Sequence, residues 1–485
     1  MRKWFTCCIA LAALLGLTLA GGSAFSQQRW QKTYGGTDYD FGWAVQQTSD
    51  GGYICAGGTW SFGAGGYDFW LVKTNAQGDT LWTKTYGTVD FEEAYAVRQT
   101  ADGGYIIAGV AGLEPSGWSQ HIYLIKTNAQ GNTQWTKMYG GGYHDGAFSI
   151  QQTNDGGYIV AGYREISTFL EYVYLLKLNS SGDSLWSKTY GRGGMYDAAF
   201  CVQQTQDGGY IVVGRTTEPS GAYYDIYLLK TNAQGDTLWS RTYGEAGEGH
   251  EDMGYFVRQT QDGGYVLTGT FQDQQYNDDL FLIKTNAAGA TQWTKMYTRG
   301  GNDWGSTVKQ TTDGGYIIAG TTYYSDTTNY DVWLLKTNAS GDTAWTKTYG
   351  GSGPDNDRTG FWGDHVQQTT DGGYIILGGT GSFGAGHYDF WLIKTDSLGS
   401  SGVEEERAEG GRPQAVSSLK TTPNPFVSFA TVPGHENARF ALYDVSGRLV
   451  GKYQGNRIGE GLRAGVYFLK QEGKDAKPVR IVKVR

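Results

Sequence analysis

The residues of this chain best suited to chemistry recur at a fixed spacing. Asp40, Glu92, Asp145, Asp197, Asp252 and Asp303 each stand five residues before a Val or Ile in a short apolar run. Set around one opening, such carboxylates make a site for a cation or a cationic ligand. Set singly, each accepts backbone N–H bonds and fixes its own loop. In the seventh copy the same offset falls on Phe361, with Asp364 close by. The run Asp355-Asn356-Asp357-Arg358-Thr359-Gly360 has the D-x-D-x-T-G spacing of the front half of a calcium loop, with Asp355, Asp357 and Thr359 as the oxygen donors. Its twelfth position is Val366, which supplies no bidentate carboxylate. Calcium at this loop is the only cofactor the pattern offers.

Two further residue classes bear on function. Aromatic residues gather in stretches of unequal sequence: Trp60, Phe62, Trp118, Phe169, Tyr223, Tyr224, Tyr276, Tyr323, Tyr324 and Phe383. Aromatic platforms beside Asp and Asn suit a carbohydrate or protein ligand, while unselected loop drift yields the same composition. Catalytic signatures are mostly absent. The six His residues (His121, His144, His250, His365, His387, His435) are scattered, with no H-E-x-x-H and no G-x-S-x-G. With 39 acidic residues between positions 27 and 399, a carboxylate pair at glycosidase spacing arises by chance, so the expectation is a protein that is not an enzyme.

The elements that carry these residues are copies of one unit. The tetrapeptide DGGY begins at Asp50, Asp102, Asp155, Asp207, Asp262, Asp313 and Asp371, at intervals of 52, 53, 52, 55, 51 and 58 residues. A period of this length marks a propeller or a solenoid. In the second copy AYAVRQT-ADGG-YIIAG is followed by a variable stretch and then by HIYLIKTN-AQGN-TQWTKMYG. Four short apolar runs separated by turn signals make one four-stranded antiparallel blade. Asp-Gly-Gly supplies the positive φ of a tight hairpin between the first two strands. Phe69-Trp70-Leu71-Val72 is apolar at successive positions, so both faces of the third strand are to be buried between blades.

Closure is also legible. A Trp-x-Lys/Arg-x-Tyr strand starts at Trp30, Trp82, Trp135, Trp186, Trp239, Trp293 and Trp345; the first copy precedes any complete blade, and the last blade lacks its own. The strand at Trp30 should therefore pair with Tyr388–Thr395 and join the chain ends into a seven-bladed ring without free edges. The turns between first and second strands would then share one face. The variable connections between second and third strands, such as Thr59–Tyr67 and Thr380–Tyr388, would form the opposite, recognition face.

The chain of 485 residues has 76 Gly, 35 Tyr and 16 Trp, the composition of an all-β protein. Residues 27–399 hold 23 Lys/Arg against 39 Asp/Glu, whereas residues 417–485 hold 12 against 5. An acidic body repels phosphate backbones, so nucleic acid is not an expected partner. Residues 1–26 have a basic start (Arg2, Lys3), an apolar stretch from Cys8 to Ala20 and a small-residue end at Ala24-Phe25-Ser26, the pattern of a signal peptide. Its removal takes Cys7 and Cys8 and leaves no transmembrane segment. Cys55 and Cys201, in different repeats, are expected as buried free thiols.

The span from Trp30 to Leu398 resembles the secreted bacterial propeller repeats with D-G-G-Y-I-x-x-G and W-x-K-T-Y-G-G signatures. After a linker at 400–416, residues 417–485 resemble the type A C-terminal sorting domain of the type IX secretion system. The matching residues are Pro423-Asn424-Pro425-Phe426, the Tyr443-Asp444 and Gly447-Arg448 pairs, Gly465 with Tyr467, and a basic terminal strand. The resemblance implies passage through the periplasm, transport across an outer membrane by that machinery, and a secreted or surface-exposed end state. The reading is thus a leader (1–26), a propeller (27–399), a linker and a small immunoglobulin-like β-sandwich (417–485). The expected molecule is a monomer with a glycan or protein ligand; a polysaccharide-active enzyme and a structural surface-layer component are the alternatives.

Overall fold

The computed structural model describes residues 27–402 apart from the segments 113–119, 142, 168–169, 192–195, 218–222, 245–249, 274, 325–328 and 357–362. Beyond these it describes 430–431, 438–444, 448–455, 457–459, 461–463, 465–471 and 479–483. The chain divides into two compact units, Met1–Glu406 and Arg407–Arg485.

The first unit holds seven four-stranded antiparallel sheets, six of them in chain order and the seventh completed by the N-terminal strand. Blade 1 consists of Asp40–Gln47, Tyr53–Thr59, Asp68–Thr74 and Thr80–Tyr86. Blades 2 to 6 repeat the plan, their inner strands being Glu92–Gln99, Asp145–Gln152, Ala198–Gln204, Met253–Gln259 and Asp303–Gln310. Blade 7 runs Val366–Gln368, Tyr374–Thr380 and Asp389–Thr395, and takes its outer strand from the N-terminal segment, Trp30–Tyr34. Trp30 lies opposite Lys394 and Tyr34 opposite Phe390, so the clasp read from the sequence is the one that forms.

Apolar burial between blades holds the ring. The third strands are buried at every position in blades 1 and 7, as the unbroken apolar runs require. One apolar cluster joins Val45, Cys55 and Trp70 of blade 1 to Ile375, Leu377 and Phe390 of blade 7, across the junction between chain ends. Full burial of a ring such as Phe390 is worth about 2–3 kcal/mol. Cys55 and Cys201 are buried and unbridged.

The outer strands add a lock between neighbours. Each outer Trp meets edge-on the Tyr of the next blade's DGGY: Trp30 with Tyr53, Trp82 with Tyr105, and so on to Trp345 with Tyr374, at centroid distances between 5.8 and 6.0 Å. The outer Tyr donates its hydroxyl to a turn glycine carbonyl of the next blade, as Tyr34 does to Gly78 at 2.6 Å and Tyr349 to Gly399 at 2.5 Å. Gly78 has a φ of +77°, and a Cβ there would come within 2.7 Å of the Trp30 ring, so turn and stacking together require glycine. The intervening Lys reaches an Asp of the neighbouring turn, in Lys32 with Asp79 and Lys137 with Asp183. A cationic group over the strand's own Trp ring is seen for Lys188 and Arg241.

In the second unit, Leu449–Gln454, Arg439–Asp444, Gly465–Gln471 and Val479–Lys483 form a four-stranded sheet in that order, and Ala430–Thr431 pairs with Arg457–Ile458. Phe440, Leu442, Ile458, Tyr467 and Leu469 make its core, with Ile458 joining the smaller sheet to the larger, a small β-sandwich. Of the motif residues, the Asp444 carboxylate accepts from the backbone N–H and the guanidinium of Arg448, closing a hairpin, and Tyr467 donates to the Arg463 carbonyl. Gly465 lies opposite Lys483 in the last ladder. Pro423, Asn424, Pro425, Phe426 and Gly447 lie outside the described residues.

Candidate functional site

Three places in the propeller could meet a ligand, and each is set by one register of the repeat. The six recurrent carboxylates stand at the start of the inner strands, at or before the first paired residue. All are buried. They turn into their own blades: Asp40 accepts from the Gly36 N–H (2.8 Å), the Ser61 hydroxyl (2.8 Å) and the Thr59 hydroxyl. Glu92 accepts from Thr88, Asp145 from the Gly141 N–H and Arg164, and Asp303 from the Arg299 N–H. Asp197 and Asp252 accept from the backbone N–H groups of Thr217 and Gln272, at the ends of their second strands. Burial pushes the Asp303 carboxyl up to about 6, against its hydrogen bonds.

The seventh member is Asp355 and not Asp364; Phe361 lies outside the described residues. Asp355 accepts from the Gly351 N–H at 2.6 Å, the Thr380 hydroxyl at 2.6 Å and the Ser382 hydroxyl at 2.7 Å, the same partners in kind that Asp40 has. The first oxygen of the calcium-like run is therefore committed to its own loop. Asp357 and Thr359 lie outside the described residues. Among the described residues, no group of three His, Cys, Asp or Glu stands close enough to hold a metal ion.

On the variable-loop face, the aromatic candidates separate by blade. Trp60 is 52% exposed and packs on Tyr67; Phe62 leans on Trp70 and Phe383 on Trp391. At the junction of blades 1 and 7, the Trp60 N–H donates to the Tyr39 carbonyl, and the Tyr39 ring stacks on His387 at 5.0 Å. Tyr39 is itself 43% exposed, so Trp60, Tyr39 and His387 make one strip. The other candidates lie on their own blades. The Arg215 guanidinium covers Tyr224 at 4.7 Å, with Tyr223 half-buried beside it. Tyr276 is 66% exposed at a φ of +62°, and Tyr323 packs on Tyr330. The backbone of Tyr324 pairs with Asn329; Trp118 and Phe169 lie outside the described residues. Near Tyr224, Glu171 stands 3.7 Å from Arg215 and opposite Glu165 in the ladder. Burial, only partly offset by Arg215, pushes its carboxyl up to about 7.

The third place is the axis. Each complete inner strand carries a one-residue bulge, skipping Trp43, Tyr95, Phe148, Phe200, Tyr255 and Ser306 in the pairing with the second strand. A bulge re-aims a side chain. Here it brings five aromatic rings into one chain of contacts, Trp43 to Tyr95 to Phe148 to Phe200 to Tyr255, at 5.2 to 5.6 Å. The corresponding residue of blade 7, seven before the DGGY aspartate, is Asp364.

Asp364 meets cations from three other blades. Its carboxylate lies 2.8 Å from Arg98, 2.6 Å from Lys309 and 3.6 Å from Arg258. These cations occupy the position four before the DGGY aspartate, where the other blades carry Gln46, Gln151, Gln203 and Gln367. The three cations, the carboxylate and the four amides line a cavity of about 460 Å³ at the hairpin-turn end of the axis. Attraction to the three cations overcomes burial and holds the Asp364 carboxyl below the usual range. Burial lowers the Lys309 ammonium to about 8, against the pull of Asp364. None of Arg98, Arg258 and Lys309 stands out when the loops are scanned, but aligning the seven copies on DGGY exposes all three.

No family model and no curated protein matches the chain. Among solved structures, the WD40 domain of Neurospora crassa Pan2 is similar at 9% identity and a TM-score of 0.45, over 74% of this chain and 91% of that one. Sqt1 from Chaetomium thermophilum is similar at 11% identity and 0.43, over 95% and 100%. PorZ, an essential bacterial surface component of the type-IX secretion system of Porphyromonas gingivalis, is similar at 11% identity and 0.42, over 93% of this chain and 60% of that one. The strand pairing itself fixes the architecture: a seven-bladed β-propeller closed by its N-terminal strand and followed by a small β-sandwich.

Proposed function

We propose that the chain is an exported binding scaffold, secreted or held at the outer-membrane surface, that engages a glycan or a protein through its variable-loop face. The observation that carries the reading is the exposed strip of Trp60, Tyr39 and His387 at the junction of blades 1 and 7. Rigid aromatic faces beside hydrogen-bonding loops bind sugar rings and peptide side chains with little loss of conformational entropy. Export rests on the leader-like start and on the resemblance of residues 417–485 to a type IX sorting domain, which makes that machinery a partner. A glycan array probed with the full chain and with a Tyr39→Ala, Trp60→Ala double variant tests the recognition half. Binding that the variant retains in full, or no binding to any glycan or surface protein, overturns it. Cell fractionation after deletion of residues 417–485 tests export, and unchanged delivery to the surface rejects the sorting role.

The second reading, a polysaccharide-active enzyme, is favoured by Glu171. A carboxyl that is still protonated near neutral pH, opposite a second carboxylate, has the makings of a general acid. Hydrolysis or cleavage of an acidic polysaccharide that Glu171→Gln abolishes would select it.

A further inference from the structure

We propose that the axial cavity is a binding site for a small anion of monosaccharide size, an acidic sugar whose carboxylate or phosphate meets Arg98, Arg258 and Lys309 while its hydroxyls meet the glutamine amides. The site lies at the opposite end of the ring from the variable loops, so it goes beyond the proposed scaffold function and stands or falls separately.

Three observations carry it. The first is unbalanced charge. Three cations converge on one carboxylate in a body that is otherwise strongly acidic, and charge taken out of water needs a counter-charge. The cations keep access to solvent, their side chains being 16 to 21% exposed.

The second is the sense of the hydrogen-bonding groups. The Oε1 atoms of Gln46, Gln151, Gln203 and Gln367 accept the backbone N–H of Gln99, Gln204, Gln259 and Gln47, each on the next blade, at 2.7 to 2.8 Å. Those bonds fix the amide orientation and leave the Nε2 groups as what each amide offers the cavity. The lining is thus cationic and donor-rich, with Asp364 its lone carboxylate. Such a lining accepts oxyanions and hydroxyl oxygens.

The third is broken symmetry combined with size. Gln at this position satisfies the next blade's backbone, a bond that Arg98, Arg258 and Lys309 each forgo. In exchange all three pair with Asp364, Arg98 and Arg258 donate to the Val97 and Val257 carbonyls, and Arg258 covers the Phe256 ring at 4.0 Å, which still leaves three positive charges against one negative. At about 460 Å³ the cavity far exceeds the volume of a bare inorganic ion and lies within the size range of small-molecule sites.

Calorimetric titration of the full chain at low ionic strength and pH 7 decides it, with glucuronate, glucose 6-phosphate, inorganic sulfate and glucose as probes. One equivalent of glucuronate or glucose 6-phosphate should bind with a Kd below about 1 mM, and glucose should not bind. Affinity should fall as pH rises through about 8, where Lys309 loses its proton. An Arg98→Gln, Lys309→Gln variant, which installs the residue that four blades already carry, should weaken binding at least about tenfold. Gln151→Glu, which leaves all three cations in place and adds a carboxylate to the ring, should do the same. Silence of all anions up to about 20 mM, an equal response to glucose, a response to sulfate alone, or full affinity in both variants overturns the proposal.

Discussion

The rim and the axis of the propeller are built from the same seven copies but treat repetition in opposite ways. At the rim, all seven DGGY aspartates receive a buried Lys from the third strand of their own blade, from Lys73 with Asp50 to Lys394 with Asp371, at 2.8 to 2.9 Å. Each also accepts the hydroxyl of the Thr two residues earlier. The Lys–Asp–Thr lock recurs in every blade, because every blade must solve the same problem of folding a hairpin and docking a neighbour. At the axis, the position four residues earlier holds four Gln, two Arg and one Lys, and the position seven residues earlier, bulged in blades 1 to 6, holds five aromatics, a Ser and, in blade 7, an Asp. Uniform residues answer to the fold; the residues that depart from the pattern while the backbone stays the same are free to answer to something else.

The contrast breaks most visibly if the ring is opened. A chain without Trp30–Tyr34 loses the outer strand of blade 7 and the Trp30 and Tyr34 contacts to blade 1, exposing a buried strand edge. The expected outcome is loss of the cooperative thermal transition with self-association, read by calorimetry and size-exclusion chromatography. A monomer melting near the parent temperature would show that the clasp is dispensable. Next in size is a single rim lock. Asp155→Ala strands the Lys177 ammonium, which is 5% exposed, with only the Leu178 carbonyl and the Thr153 hydroxyl; because Asp155 itself is 57% exposed, the cost should be about 2 kcal/mol in urea unfolding, below that of a pair buried on both sides.

Acid reaches all seven locks at once. Hydrogen bonds from Thr and Lys, working against partial burial, hold the carboxyls of Asp102, Asp155, Asp262 and Asp313 at about 2. A carboxyl lower in the folded than in the unfolded chain contributes stability that is complete above pH ~4 and is lost as pH falls toward 2. Glu171 has the opposite sign: at about 7, against an unfolded value near 4.5, it binds a proton more tightly when folded. Its contribution is present at low pH and is lost as pH rises from ~4.5 to ~7. Glu171→Gln should therefore flatten the decline of melting temperature across that interval; an unaltered slope would place its proton uptake elsewhere.

How far the sequence could be read follows the same division. Whatever repeats was legible, from the four-strand unit to the clasp, because seven copies of DGGY and of Trp-x-Lys-x-Tyr average out local ambiguity. The buried Lys escaped notice, although it follows each DGGY aspartate by 22 to 24 residues, because a Lys in an apolar strand reads as an edge until its carboxylate is known. The seventh acidic residue was misplaced for a plainer reason. Counting back from Val366 crosses the lengthened loop Gly350–Gly363, whereas counting forward from the outer-strand Tyr puts Asp355 six residues after Tyr349, as Asp40 is after Tyr34 and Glu92 after Tyr86. The axial cluster was hidden because its charges lie in different blades, up to 266 residues apart, and meet only when the ring closes.

The smallest expected effect is also the sharpest statement of the contrast. Lys309→Gln at the axis removes a charge within 2.6 Å of a buried carboxylate, a change that elsewhere in a core would be severe. Here Asp364 keeps Arg98 at 2.8 Å and Arg258 at 3.6 Å. The new amide can accept the backbone N–H of Gln368, as Gln46 accepts that of Gln99, a bond worth about 1 kcal/mol. The two terms nearly offset each other, so urea unfolding should move by less than about 1 kcal/mol, a fraction of the cost of Asp155→Ala at the rim. A loss as large as at the rim would mean that the axial cations hold the ring together and are kept for stability. A near-neutral result would mean that they persist at a position where the fold itself asks only for Gln.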